Sequence, residues 1–239
     1  MTNTQSARPT PLARAWWRVI RLGFRLLYNE LAFTYDAVAW IVSLGEWRRW
    51  QRTALNHLTA PPGATVLELA HGTGDLQLDL RALGYRTVAL DLSRSMGRLA
   101  RRKLRRRGVP ARLVRGRTQA LPFPAGRFPA VISTFPAEFI FDPATLAEIH
   151  RVLMPGGRLI VVVNGLLTQG GAARDALELA YRVTGQRGPW PAQADERLAA
   201  AGFRSRLVVE TLRRSTALVL IADKPPRETG AAESQARRG

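Results

Sequence analysis

The chain contains no cysteine, only three histidines, and half as many acidic residues (18) as basic ones (36). Without cysteine there is no disulfide framework and no thiolate metal centre. Three histidines, at positions 57, 71 and 150, are too scattered for a zinc site, so no metal is expected. No apolar run reaches the roughly 18 residues that a membrane-spanning helix needs. Residues 1–11 are polar with two prolines, so no secretory signal is expected and that stretch reads as disordered. What remains is a chain of 239 residues, long enough for one α/β domain with additions.

The net charge of +18 is compatible with a nucleic-acid partner. Two observations weigh against that reading. Only Lys103 and Lys224 are lysine, so the basic content is skewed to arginine, as a GC-rich coding bias also produces. The densest run, Arg101-Arg102-Lys103 with Arg105-Arg106-Arg107, carries no interleaved aromatics of the kind a single-strand binder stacks on. It reads as a solvated helix face, with a binding patch as the alternative.

Apolar periodicity divides the rest. Residues 12–30 form a candidate amphipathic helix in which Arg14, Arg18, Arg21 and Arg25 share one face, while Trp16, Trp17 and several aliphatics fill the remainder. Two readings fit it. Residues 12–27 lie in a membrane interface, or the helix packs on the domain with its arginines in water. Strands are expected at 65–69, 86–91, 111–115, 129–134 and 158–163, and helices at 46–58, 74–83, 94–107, 143–153 and 192–201. Pro155-Gly156-Gly157 reads as a turn before the fifth strand. Residues 204–212 and 216–222 read as an antiparallel hairpin at the sheet edge, and 164–191, with a helix near 172–184, as a segment over the substrate pocket. The expected fold is α/β, a Rossmann-like doubly wound sheet, mostly parallel, with N-terminal helices. The expected organisation is 1–11 disordered, 12–58 lid helices, 59–223 a cofactor-binding domain and 224–239 a disordered tail.

The chemistry begins at Val66-Leu67-Glu68-Leu69-Ala70-His71-Gly72-Thr73-Gly74-Asp75, a buried strand followed by a glycine turn and a helix start. Glycine lets a ligand approach the backbone because no Cβ intervenes. Asp91 ends the next strand, where a carboxylate can accept both hydroxyls of a ribose. The third glycine of the dinucleotide fingerprint is missing and no P-loop lysine follows. Asp75 at the helix start would repel a pyrophosphate, so an ammonium or sulfonium ligand suits this turn better.

These residues, with Leu90-Asp91-Leu92-Ser93-Arg94-Ser95-Met96, Gln119-Ala120-Leu121-Pro122-Phe123 leading into 128–133, and Glu148-Ile149-His150-Arg151-Val152-Leu153-Met154-Pro155-Gly156-Gly157, resemble the class I S-adenosylmethionine (SAM) dependent methyltransferases. The likeness is to the ubiquinone/menaquinone C-methyltransferase branch. It implies SAM as cofactor, held by Glu68, Ala70, His71, Gly72, Gly74, Asp91, Leu92, Met96, Thr118, Gln119, Ser133 and Thr134. It also implies that Tyr35 and Asp36, near Tyr28, fold over the cofactor and help form the substrate pocket. Where the family usually places an acid for the adenine amino group, this chain has Arg117, which has no acceptor. Either Thr118, Gln119 or backbone supplies that contact, or the base is held less tightly. Pro129 stands at a second position where the family favours an acid.

Methyl transfer requires alignment and exclusion of water more than it requires a particular base. The candidates for proton removal are His71, Glu138 and Tyr35. Phe135, Glu138 and Phe139 follow the fourth strand, where a pocket should open, and the phenylalanines suggest an apolar wall. The amino-methyltransferase signature Asn/Asp-Pro-Pro-Tyr is replaced by Ser133-Thr134-Phe135-Pro136. The expected function is therefore methyl transfer to a small apolar or lipid-linked acceptor, a quinone precursor or phospholipid, by a cytoplasmic protein peripheral to the membrane. The alternatives are an RNA or protein methyltransferase that uses the basic surface, and a SAM-binding module without catalysis.

Overall fold

A computed structural model describes residue 43 and residues 45–168 and 193–227. Among them seven strands form one sheet in the order β3-β2-β1-β4-β5-β7-β6. They are β1 Thr65–Leu69, β2 Arg86–Asp91, β3 Leu113–Arg115, β4 Phe128–Thr134, β5 Leu153–Leu167, β6 Arg204–Thr211 and β7 Ser215–Asp223. The helices are α1 Trp47–Thr53, α2 Asp75–Ala82, α3 Arg94–Arg106, α4 Pro143–Val152 and α5 Ala194–Ala200. Strands β1 to β5 run parallel, and β7 pairs antiparallel with both β5 and β6. The expected α/β architecture and its C-terminal hairpin are thus present, with β6 at the edge.

Strands β1 and β4 are buried along almost their whole length, so they read as apolar runs rather than alternations. One core packs Leu67, Leu69, Phe128 and Val161 against Leu146 and Ile149 of α4 and Leu198 of α5. The other packs Val66, Ile132, Ile160 and Val219 against Trp50 of α1 and Leu76 and Leu80 of α2. Local chemistry starts the helices where the sequence suggests. The Ser93 hydroxyl accepts from the Met96 N–H at 3.2 Å to cap α3. Asp142 accepts from the Ala144 N–H at 3.0 Å to cap α4, with Pro143 in its first turn.

Three boundaries differ from expectation by more than two residues. The predicted helix 46–58 is α-helical only to Thr53 and tightens to a 3-10 turn over Ala54–His57. Pro155-Gly156-Gly157 does not simply precede β5. The strand begins at Leu153, opposite Phe128, and its pairing resumes at Arg158 opposite Ala130, so residues 154–157 bulge out of the ladder. Hydrogen bonds to the segment after β7 hold that bulge, with Lys224 N–H donating to Gly157 O at 2.8 Å. At its other end β5 passes a second irregularity between Val162 and Asn164 and continues to Leu167 opposite Ser215, beyond the predicted end at 163. The predicted helix near 172–184 lies outside the described residues.

The strand order places the site. Crossovers leave β1 in one direction towards β2 and β3 and in the other towards β4 and β5, which opens a crevice at the carboxyl ends of β1 and β4.

Candidate active site

A cleft of about 430 Å³ lies in that crevice. From one side to the other, its described walls come from four places. Gly116 to Gln119 follow β3, and Leu90 to Leu92 end β2. Ala70 to Thr73 follow β1, with Asp75 at the start of α2. Thr134 to Ala137 and Phe139 follow β4, where Trp47 and Gln51 of α1 also face the cleft.

The β1 turn is built by backbone geometry. Ala70 and Gly72 both adopt positive φ, at 55° and 53°. A Cβ on Gly72 would meet nothing within 4 Å, so its open side is the cleft. The Gly72 N–H donates to Asp91 Oδ2 at 3.0 Å, while Ser93 N–H donates to Asp91 Oδ1 at 2.8 Å. Two backbone donors thus fix this carboxylate. An ionised carboxylate has about four acceptor positions, so two remain for a diol. Asp91 carries no ion pair among the described residues.

Gly74 has a different reason for being glycine. Its φ is 85°, and an added Cβ would sit 3.0 Å from the Ala100 Cβ of α3. It allows α2 to start against α3 and does not line the cleft. Glu68, Met96 and Ser133 also lie behind the wall rather than on it, which departs from the expectation that they face the cofactor. Met96 is fully buried core. Ser133 is fully buried, and its hydroxyl is spent on Leu69 O at 3.0 Å. Glu68 is 1% exposed and accepts from Gln77 of α2. Burial, with Asp91, Asp75 and Asp79 nearby, pushes its carboxyl up to about 8, so it holds a proton at neutral pH. Its bond with Gln77 ties the end of β1 to α2.

Asp75 is another correction to the sequence reading. It does not offer an unpaired charge to a cationic ligand, because Lys103 Nζ lies 2.8 Å from its Oδ2 and Arg48 Nη1 3.9 Å from its Oδ1. The carboxylate left open on the wall is Asp91.

His71 lines the cleft and is 4% exposed. Burial lowers its pKa below the usual 6.5, against the opposing pull of Asp91, so the ring is neutral near pH 7. Its Nδ1 lies 2.8 Å from Gly72 O. That contact selects the Nδ1–H tautomer and leaves Nε2 as an acceptor.

On the β3 side, Arg117 is exposed and lines the cleft. Thr118 is buried against the Thr145 hydroxyl at 3.1 Å, and the Gln119 amide donates to Asp142 Oδ2 at 2.9 Å. Leu92 lines the mouth and is 58% exposed. On the β4 side, Phe135 has φ 50°, rare for a side chain of that bulk. Its N–H donates to Val162 O at 2.8 Å, and its ring stacks on Trp47 with centroids 4.0 Å apart. Glu138 begins the 3-10 turn Glu138–Phe141, between the lining residues Ala137 and Phe139. Tyr28, Tyr35, Asp36 and the helix over 12–27 lie outside the described residues. His57 and His150 do not line the cleft; His150 packs edge-on against Phe203.

Sequence reasoning missed Trp47 and Gln51. The signal was present as an i,i+4 pair on a predicted helix, which puts both on one face. Nothing local says that this face meets the end of β4.

The residues present fit SAM: an open glycine turn, a fixed carboxylate with free acceptor positions, and a cleft in the size range of small-molecule sites. The comparisons with known proteins agree. The family described as a methyltransferase domain matches residues 66–157. Demethylmenaquinone methyltransferase of Thermus thermophilus is 34% identical over 227 residues, covering 83% of this chain and 100% of that protein. A ubiquinone/menaquinone biosynthesis C-methyltransferase UbiE of Shewanella halifaxensis is 35% identical over 143 residues, and the match covers 57% of each chain. Among solved structures, geranyl diphosphate C-methyltransferase of Streptomyces coelicolor has a TM-score of 0.58 at 14% identity, covering 74% of this chain and 78% of that one. The [4+2]-cyclase SpnF has the same TM-score at 19% identity, covering 75% and 81%. Likeness at that level shows the fold alone, and a cyclase among the neighbours illustrates that this fold does not dictate one reaction. The sequence match over the whole length of the Thermus protein goes further: the chain belongs to the class I SAM-dependent methyltransferases and is an enzyme of SAM-dependent methyl transfer.

Proposed function

We propose that the chain methylates a carbon of a small, apolar, lipid-linked acceptor, a quinone precursor, at a membrane surface. The observation that carries this reading is the 34% identity to a demethylmenaquinone methyltransferase over that protein's whole length. The apolar end of the cleft supports it, since Trp47, Phe135 and Phe139 suit a flat ring better than a phospholipid head group.

SAM, when bound, supplies a methyl group on a cationic sulfur and leaves as a neutral thioether. The chain's own residues bind and orient. Gly72 admits the cofactor against the backbone, Asp91 accepts the ribose hydroxyls, and Thr118 and Gln119 border the adenine end. The new carbon–carbon bond needs a nucleophilic ring carbon, which then loses its proton. His71 Nε2 is a neutral acceptor on the same wall.

Membrane proximity rests on residues 12–27, with their arginine stripe and two tryptophans. Among the described residues no helix is long and apolar enough to cross a membrane. Two experiments test the reading. Labelled methyl transfer from SAM into a total lipid, RNA and protein extract should mark the quinone fraction; label confined to RNA or protein would overturn it. Flotation with anionic liposomes should be lost on removal of residues 1–27, and equal flotation of both forms would remove the membrane part.

A further inference from the structure

Helix α1 is fixed in place with unusual thoroughness for seven residues. Glu46, just before it, accepts from the fully buried Ser215 hydroxyl at 2.8 Å, which ties the helix start to the beginning of β7. Arg48 Nη2 pairs with Asp79 Oδ1 of α2 at 3.0 Å. Trp50 is fully buried against Gly165 of β5. These anchors leave Trp47 and Gln51 facing the cleft. Gln51 Nε2 donates to Thr134 Oγ1 at 3.2 Å, which fixes the amide plane. Among the described residues no hydrogen bond is made to its Oε1. The stacked rings of Trp47 and Phe135 lie beside it.

This polar atom next to an aromatic platform stands at the end of β4, two strands, or about 10 Å, from Asp91 at the end of β2. It is thus removed from the ribose contact. We infer that Gln51 is the positioning residue for the methyl acceptor: its Oε1 accepts a hydrogen bond from an acceptor hydroxyl while the ring lies on the Trp47–Phe135 pair. The inference deepens the proposed function and rests on it for the choice of a ring acceptor. The bond it describes is a hydrogen bond, so it does not require Gln51 to exchange a proton. A hydroxyl held there fixes which ring carbon is presented to the methyl group.

The test uses the full chain, saturated with S-adenosylhomocysteine, titrated calorimetrically with 1,4-dihydroxynaphthalene and with naphthalene. Gln51→Leu should weaken the dihydroxy compound about tenfold and leave naphthalene unchanged. Gln51→Glu, which keeps an oxygen acceptor at that place, should retain most of the affinity. The affinity for S-adenosylhomocysteine should stay within about twofold in both variants, which separates loss of positioning from loss of fold. Equal weakening of both naphthalenes, or none of either, overturns the inference. If the wild-type chain methylates a quinone precursor and Gln51→Leu does so with unchanged KM, the inference falls and the proposed function stands. Gln51-dependent binding of the dihydroxy compound without labelling of any quinone leaves the positioning role in place and overturns the proposed substrate.

Discussion

Trp50 packs its indole so closely against Gly165 that no side chain fits at that strand position. The indole is fully buried, and it lies edge-on to Phe135 with centroids 6.3 Å apart. One glycine in β5 therefore sets the height of α1 over the sheet, and α1 carries Trp47 and Gln51 into the cleft.

Gly165→Ala should accordingly cost about 1–3 kcal/mol of stability through overpacking. It should also displace the Trp47–Phe135 wall. Urea denaturation gives the first quantity, and acceptor KM measured against SAM affinity gives the second. An alanine variant with an unchanged urea midpoint would show that α1 yields easily and does not depend on this contact.

Asp91 offers a sharper test of the cofactor end. Its two oxygens accept from Gly72 N–H and Ser93 N–H, and Asp91→Asn would turn an amide NH₂ towards one of those donors. Charge-assisted bonds of this kind contribute about 1.5–3 kcal/mol, so S-adenosylhomocysteine binding should weaken roughly ten- to a hundredfold. Calorimetric titration measures it. An Asp91→Asn variant that binds as tightly as the wild type would move the ribose contact elsewhere.

Glu68 makes stability depend on pH. Its folded pKa is raised to about 8 while the unfolded chain titrates near 4.5, so between those values the native state holds the extra proton. Stability contributed by protonated Glu68 is present below 4.5 and is lost as pH rises towards 8. Glu68→Gln keeps an acceptor for Gln77 but cannot ionise. The difference between variant and wild type should shift in the variant's favour from pH 5 to pH 8, by on the order of a few kcal/mol. Parallel denaturation curves at the two pH values would check this, and a constant difference would mean that Glu68 is ionised in the fold.

Arg117 is exposed on the cleft wall, at the position where the resemblance to the family implies an acid for the adenine amino group. Arg117→Glu should tighten S-adenosylhomocysteine binding about threefold or more. It should leave the inosine analogue, which lacks that amino group, unaffected. Equal effects on both ligands would mean that the change acts through general charge rather than through the base.

The strands around the glycine turn were legible because each is a short apolar run bounded by turn residues, and because β1 and β4 are buried on both faces. Helix starts at Ser93 and Asp142 were legible because capping is a contact between near neighbours in the chain. The ends of β5 were not. Its bulge at 154–157 depends on Lys224 and its extension to Leu167 depends on Ser215, both remote in sequence.

The sequence by itself determined the architecture and the cofactor, since these rest on local pattern and on residues with one evident chemical use. Tertiary structure alone decided which motif residues face the cleft and which stand behind it. Ser133 and Met96 carry the motif yet are consumed by packing, Gly74 serves a helix contact, and the charge of Asp75 is offset by Lys103. It also brought Trp47 and Gln51 beside Thr134 and Phe135, across more than eighty positions of chain for the Gln51–Thr134 bond. A hydrogen bond or ring contact is set by distance in space, and the folded sheet, rather than any spacing along the chain, makes that distance short.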